Sequence, residues 1–182
     1  NFGNICAGIL AHHRGLPVEH FIAACNVNDV VPEYLRTEIL QPKETVATIS
    51  NAMDVGDPSN FVRILELFDK EFNQVKNKLS GYTIDDGETL KTIERVEKDY
   101  GYVLDPHGAV AFVALEKYLA EKGGKGFFLE TAHPVKFPDS VEKATGKSVE
   151  IPKSLEELMR QEKFTTEINP QYEELKVFLL KK

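Results

Sequence analysis

Phe21-Ile22-Ala23-Ala24-Cys25-Asn26-Val27-Asn28-Asp29 is the stretch that decides the fold class. Five apolar residues run without interruption, the pattern of a strand buried on both faces, and the chain then turns polar at once. Such a strand belongs in a parallel sheet covered by helices, and the flanking segments supply them. Upstream, Asn1-Phe2-Gly3-Asn4 leads into Ile5 to Arg14, apolar through Leu10 and Ala11 and closed by His12, His13, Arg14 and Gly15. Asn4 reads as the N-cap of this helix. Cations in a last turn and a glycine just beyond it are stop signals, so the two histidines read as caps rather than metal ligands. Downstream, Val30 to Thr37 predicts a short helix with Pro32 in its first turn.

The alternation continues along the chain. Val46 to Ile49 reads as a second strand, and Ser50 to Asn60 as a polar, turn-rich loop. A helix over Phe61 to Phe68 follows, capped by Ser59 or Asn60. Residues 69 to 87 read as a connector with a short strand near Tyr82 to Ile84. Asp85 and Glu88 have capping-box spacing for an amphipathic helix, Thr89 to Tyr100. Asp105 caps the most apolar helix, with Pro106 at its first position and Gly123-Gly124 at its end. Gly126 to Glu130 is expected as a last buried strand with Thr131 at its carboxyl end. Pro138 starts a short helix that stops at Gly146, and two charged helices, Leu155 to Glu162 and Tyr172 to Leu180, complete the chain. The expected architecture is α/β: an open, mostly parallel sheet flanked by helices over residues 1–150, then a helical arm over 151–182.

Composition narrows the function classes. Of 182 residues, 42% are apolar and 28% charged, as in ordinary globular proteins. A net charge of −7 without a basic stripe argues against nucleic acid as a partner. Cys6 and Cys25 sit in apolar runs without C-x-x-C spacing, which fits core thiols in a reducing compartment. No apolar run approaches the roughly 20 residues of a membrane span, so a cytoplasmic location without membrane contact is expected.

Candidate site residues gather where an open α/β sheet binds ligands, beyond the carboxyl ends of its strands. The helix start after Asn1, Phe2, Gly3 and Asn4 is either a capped turn or a phosphate site, since the first amides of a helix lack intrahelical partners and face a partly positive end. Asn26 to Asp29 is a rim to a ligand or an ordinary loop. Arg63, in a helical first turn where a cation gains nothing from the dipole, either meets an anion or is solvated. His107 lies at a helix N-terminus that disfavours the imidazolium, and reads as a neutral His bonded to backbone.

Five segments in order carry a resemblance: Asn1-Phe2-Gly3-Asn4-Ile5, Asn51-Ala52-Met53-Asp54, Ser59-Asn60-Phe61-Val62-Arg63, Asp105-Pro106-His107-Gly108-Ala109-Val110 and Thr131-Ala132-His133-Pro134-Val135-Lys136-Phe137. They resemble the threonine synthase family, pyridoxal-phosphate enzymes of fold type II, and the likeness covers residues 1 to about 160. The resemblance implies a cofactor phosphate held by Asn1, Phe2, Gly3 and Asn4, and a pyridine nitrogen bonded by Thr131. It implies a substrate, O-phospho-L-homoserine, whose phosphate meets Asn60 and Arg63. It also implies that the lysine carrying the cofactor lies upstream in the missing N-terminal part of the same enzyme, so the chain alone is expected to be inert and to hold no catalytic residue or metal. Family members usually have Thr after the His of the Asp-Pro-His segment, whereas Gly108 stands here. Two other readings share some features: another fold type II lyase of the threonine dehydratase or cysteine synthase type, and a non-catalytic α/β module that binds a phosphorylated ligand.

Overall fold

A computed structural model describes residues 1–181. Its centre is a parallel pair of strands, β1 (Phe21–Cys25) and β2 (Leu79–Thr83), in register from Phe21 opposite Leu79 to Cys25 opposite Thr83. Ile84 N–H extends the pairing to the Cys25 carbonyl at 2.9 Å. Parallel strands need a crossover, and here it runs through α2 (Val30–Thr37), α3 (Phe61–Leu67) and α4 (Phe72–Lys78). Gly81 is required by this packing: a Cβ there would come within 2.7 Å of the Pro32 Cα on α2.

Helix α1 (Gly3–His13) precedes β1 and packs on α3 and β1. Its Ile9 joins Tyr34, Phe61, Ile64, Phe68 and Val75 in the main core cluster. Each fully buried side chain of this size stabilises by roughly 1.5–3 kcal/mol. On the other side lie α5 (Asp86–Tyr100), α6 (Pro106–Lys122) and α7 (Pro138–Thr145), joined through Ile93, Val96, Leu104, Ala109 and Val141. Val110 and Val113 of α6 pack on Ile84 with Ala24 and Tyr82, so α6 seals the sheet. These elements belong to one compact unit, Asn1–Val149; a second unit begins at Glu150 and contains α8 (Lys153–Met159) and α9 (Tyr172–Leu180).

The α/β class stands, with several local corrections. Helix α1 begins at Gly3 rather than Ile5, and Asn4 does not cap it: Phe2 occupies the N-cap in a left-handed conformation, with no side-chain cap. Neither Ser59 nor Asn60 makes a side-chain cap on α3. Val46 to Ile49 is not a strand; the Asn28 side chain takes the Val46 backbone, accepting from its N–H at 2.8 Å and donating to its carbonyl at 2.8 Å. Gly126 to Glu130 is not a buried strand either, since Phe127 is 72% exposed and Leu129 also faces out, while Phe128 turns inward against Phe112. Helix α4 replaces much of the expected connector, because Phe72 and Val75 anchor a short helix to the main core. Asp85 caps α5 as expected, accepting from Glu88 N–H at 2.8 Å, although the helix starts at Asp86. Asp105 likewise caps α6, which ends at Gly123.

Candidate cofactor and phosphate site

The first corner of the site is made by α1 and α3. Phe2 turns the backbone left-handed before Gly3, and the first intrahelical bond is from Cys6 N–H to the Phe2 carbonyl at 3.0 Å. The amides of Gly3, Asn4 and Ile5 therefore end α1 without an intrahelical acceptor. The Phe2 ring sits 6.3 Å from that of Phe61, which sets α1 against the start of α3. Asn1 Oδ1 accepts from Ser59 Oγ at 2.8 Å. Asn60 lies between the two helices: its Oδ1 accepts from an Arg63 guanidinium nitrogen at 2.6 Å, while its Nδ2 is 3.7 Å from where a Cβ on Gly3 would stand. Asn1, Gly3, Asn60 and Arg63 are thus brought together. Arg63 has no carboxylate partner within 4.0 Å among the described residues, so an orienting neutral amide is its only side-chain anchor.

Beyond the carboxyl end of β1 stands a buried polar network that organises the loop between β1 and α3. Asn26 is 1% exposed and its amide donates to Asp54 Oδ1 at 2.8 Å and Thr48 Oγ1 at 2.9 Å. Asn28 N–H and Nδ2 both donate to Asn26 Oδ1. Asp54 also accepts from Thr48 N–H and Oγ1, at 2.9 and 2.7 Å. This loop is therefore a satisfied scaffold rather than an open rim, and it delivers the helical turn Asn51–Met53. Cys25, at the end of β1, is buried, and burial first and then the Asp29 charge push its thiol up to about 12, so it is a core thiol without nucleophilic character.

A second cluster leads to Thr131. His107 is 6% exposed; its Nε2 accepts from Ala52 N–H at 3.1 Å and its Nδ1 faces Asp105 Oδ1 at 2.6 Å. An Nε2 that accepts must be unprotonated, so Nδ1 carries the hydrogen and donates to Asp105. The backbone-bonded His107 expected from sequence is in place. Asp105 Oδ1 also accepts from His107 N–H at 2.9 Å. Burial acts to raise the Asp105 carboxyl, but hydrogen bonds from His107 and Glu130 outweigh it and hold the group below its ordinary range. Glu130, immediately before Thr131, accepts from Asp105 N–H on its Oε1 at 3.4 Å, and burial followed by the interaction with Asp105 pushes its carboxyl up to about 8. Thr131 itself is exposed, and His133 next to it accepts Val135 N–H at 3.2 Å. A path of hydrogen bonds and adjacent residues thus runs from Thr131 through Glu130, Asp105 and His107 to the Asn51–Met53 turn. Sequence reasoning read Ser59 only as a possible helix cap and Glu130 only as a strand end, and assigned neither to the site. The glutamate was detectable as an acid closing an apolar run directly before Thr131.

Residues 108–179 match the family described as "Threonine synthase, C-terminal". Threonine synthase of Escherichia coli (strain K12) is 48% identical over 157 residues, covering 86% of this chain and 36% of the relative. The crystal structure of threonine synthase from Escherichia coli matches with a TM-score of 0.86 and 42% identity over 98% of this chain and 41% of that one. The chain belongs to the threonine synthase family. A pyridoxal-phosphate-bound threonine synthase from Brucella melitensis also matches, with a TM-score of 0.77 and 32% identity, over 89% of this chain and 40% of that one. The chain accordingly shares the α/β architecture of these family members and spans about 40% of their length. No helix among the described residues is long and apolar enough to cross a membrane.

Proposed function

We propose that this chain is the cofactor-cradling part of a threonine synthase, which in its complete form converts O-phospho-L-homoserine and water to L-threonine and phosphate. The observation that carries the reading is the meeting of α1 and α3. Free helix amides at Gly3 to Ile5, the Asn60 amide and the unpaired Arg63 guanidinium form one cluster of donors around which two phosphate groups can be held. The donor set fits pyridoxal 5'-phosphate at Asn1, Phe2, Gly3 and Asn4, with the substrate phosphate at Asn60 and Arg63.

Pyridoxal phosphate, when bound, supplies an electron sink for a carbanion next to the substrate amine. The chain's own residues set the terms. The Thr131 hydroxyl would hold the cofactor ring through its pyridine nitrogen, and a hydroxyl in place of a carboxylate would make the ring a gentler electron sink, suited to elimination rather than transamination. The Arg63 guanidinium holds the phosphate and stabilises the negative charge it gains on departure. The Glu130 carboxyl, next to Thr131 in sequence, is engaged with Asp105 through the Asp105 N–H. Proton transfers at the substrate carbons belong to the cofactor's lysine, which the resemblance puts outside this chain, and the isolated 182-residue chain is therefore inert.

The test is release of threonine and inorganic phosphate from O-phosphohomoserine, with pyridoxal phosphate, by the complete protein and by this chain separately. Equimolar products from the former and none from the latter are expected. Turnover of serine or threonine instead would turn the assignment to another fold type II lyase, and silence of the complete protein on all three would leave a phosphate-binding module.

A further inference from the structure

The space over Gly108 is already filled, and what fills it is a carboxyl group. A Cβ built on Gly108 would lie within 3.0 Å of Glu130 Oε2, Oε1 and Cδ, closer than side-chain packing allows. Glu130 thus occupies the volume that a side chain after His107 would take, and the residue at 108 has none. The carboxyl is not idle there. Its Oε1 accepts from Asp105 N–H at 3.4 Å, whereas the buried Oε2 accepts from no donor among the described residues. Asp105, 0% exposed, already takes His107 N–H and Nδ1–H on Oδ1, and Gly108 N–H at 3.4 Å on Oδ2. Two ionised carboxylates in this contact would repel strongly, and Oε2 would remain buried and unmet. One proton on Oε2, donated to Asp105, resolves both faults.

We propose that Glu130 is a positioning residue: as a carboxylic acid it donates to Asp105, which orients His107, whose Nε2 in turn holds Ala52 N–H and with it the Asn51–Met53 turn. Glu130 is joined covalently to Thr131, so the chain of bonds couples the segment proposed to meet the cofactor ring to the loop that leads to Ser59, Asn60 and Arg63. Its role for catalysis rests on the threonine synthase reading; the hydrogen-bond device does not. The titratable groups facing Glu130 are Asp105 and His107 from the start of α6 and Tyr102 just before it.

The sign of the pH dependence follows from the raised acid. The glutamate's ordinary value is 4.5 and in the folded chain it is pushed up to about 8. The device therefore stabilises the closed loop fully below about pH 4.5 and loses that contribution as pH rises through about 8.

The test is hydrogen–deuterium exchange of a peptide spanning Asn51–Met53 in the complete protein, corrected for intrinsic exchange and followed between pH 6 and 9.5. In the wild type, protection is expected to fall about tenfold as pH rises from 6 through about 8 and to level off above it, the equivalent of one buried hydrogen bond. Glu130→Gln, whose amide still donates to Asp105, should keep protection independent of pH. Glu130→Ala should be poorly protected throughout, and Gly108→Ala should resemble it because the new methyl expels the carboxyl. Adding Gly108→Ala to Glu130→Ala should cost little more. Wild-type protection that is flat across the range overturns the proposal, as does equal protection in the Gln and Ala variants. Should a variant fail to fold, the wild-type profile decides alone. None of these readouts uses pyridoxal phosphate or turnover, so failure of the device and failure of the proposed function are separable.

Discussion

The Asn1–Arg63 corner and the Asp105–Glu130 corner handle charge in opposite ways. In the first, donors predominate: the opening amides of α1, the Asn60 amide and a guanidinium whose anchor is a neutral oxygen. In the second, acceptors predominate: two carboxyl groups and one imidazole, bound to each other through shared hydrogens. The first is exposed, where water screens an unmet cation at little cost, so the cation remains available to a ligand. The second is buried, where an unmet charge costs several kcal/mol, so every group must be answered from within and the answer fixes geometry. The lesson is that binding capacity sits where partners are missing at the surface, and positioning sits where partners are complete in the interior.

The sharpest way to break this contrast is at Asp105. Replacing it with Ala removes the α6 cap, the acceptor for His107 and the acceptor for Glu130 together. Urea unfolding should show a loss of about 3–5 kcal/mol, the range for breaking a buried charged network. A loss under about 1 kcal/mol would mean that this corner does not need its anion, against the general rule for such sites. Arg63→Ala should behave in the reverse sense. Stability should move by less than about 0.5 kcal/mol because the side chain is on the surface. In the complete enzyme, kcat/KM for the phosphorylated substrate should drop on the order of 100-fold, as for removal of a donor to developing negative charge. Unchanged kinetics would take Arg63 out of the site.

Legibility in the sequence followed the same division. The β1 run, the Asp85 and Asp105 caps and the ends of α6 and α7 were readable because each depends on local chemistry: continuous apolarity, an acid before a helix, a glycine after it. Val46 to Ile49 and Gly126 to Glu130 misled because apolar residues propose a strand but only a neighbour can accept its backbone. In the first case the Asn28 amide took that role. In the second, Phe127 and Leu129 remain outside while Phe128 packs on Phe112. Helix α4 was hidden because its interior, Asn73 to Asn77, is polar apart from Val75, and the core contact that makes it helical lies in other elements. The resemblance singled out residues in both corners, but not the Ser59 bond to Asn1 or the carboxyl over Gly108. Both join residues far apart in sequence, and spacing carries no trace of them.

The smallest effect tests the finest part of the contrast, the hold of Ser59 on Asn1. The bond is exposed and neutral, Oγ to Oδ1 at 2.8 Å, and an intramolecular bond of this kind contributes about 0.5–1 kcal/mol at most. Ser59→Ala should therefore leave global unfolding within about 0.5 kcal/mol of wild type. If Asn1 belongs to the phosphate cradle, the same change frees its side chain before the ligand arrives, and ordering it again weakens pyridoxal-phosphate binding to the complete enzyme by roughly two- to five-fold. Ser59→Thr keeps a hydroxyl on the same carbon and should restore the affinity. Titration of the cofactor's absorbance in the three proteins makes the measurement. An affinity that ignores Ser59→Ala would make the Asn1 side chain a surface turn, with the cradle resting on the backbone amides of α1 alone; an affinity that falls and returns with Thr would extend the donor-rich corner from Arg63 to the first residue of the chain.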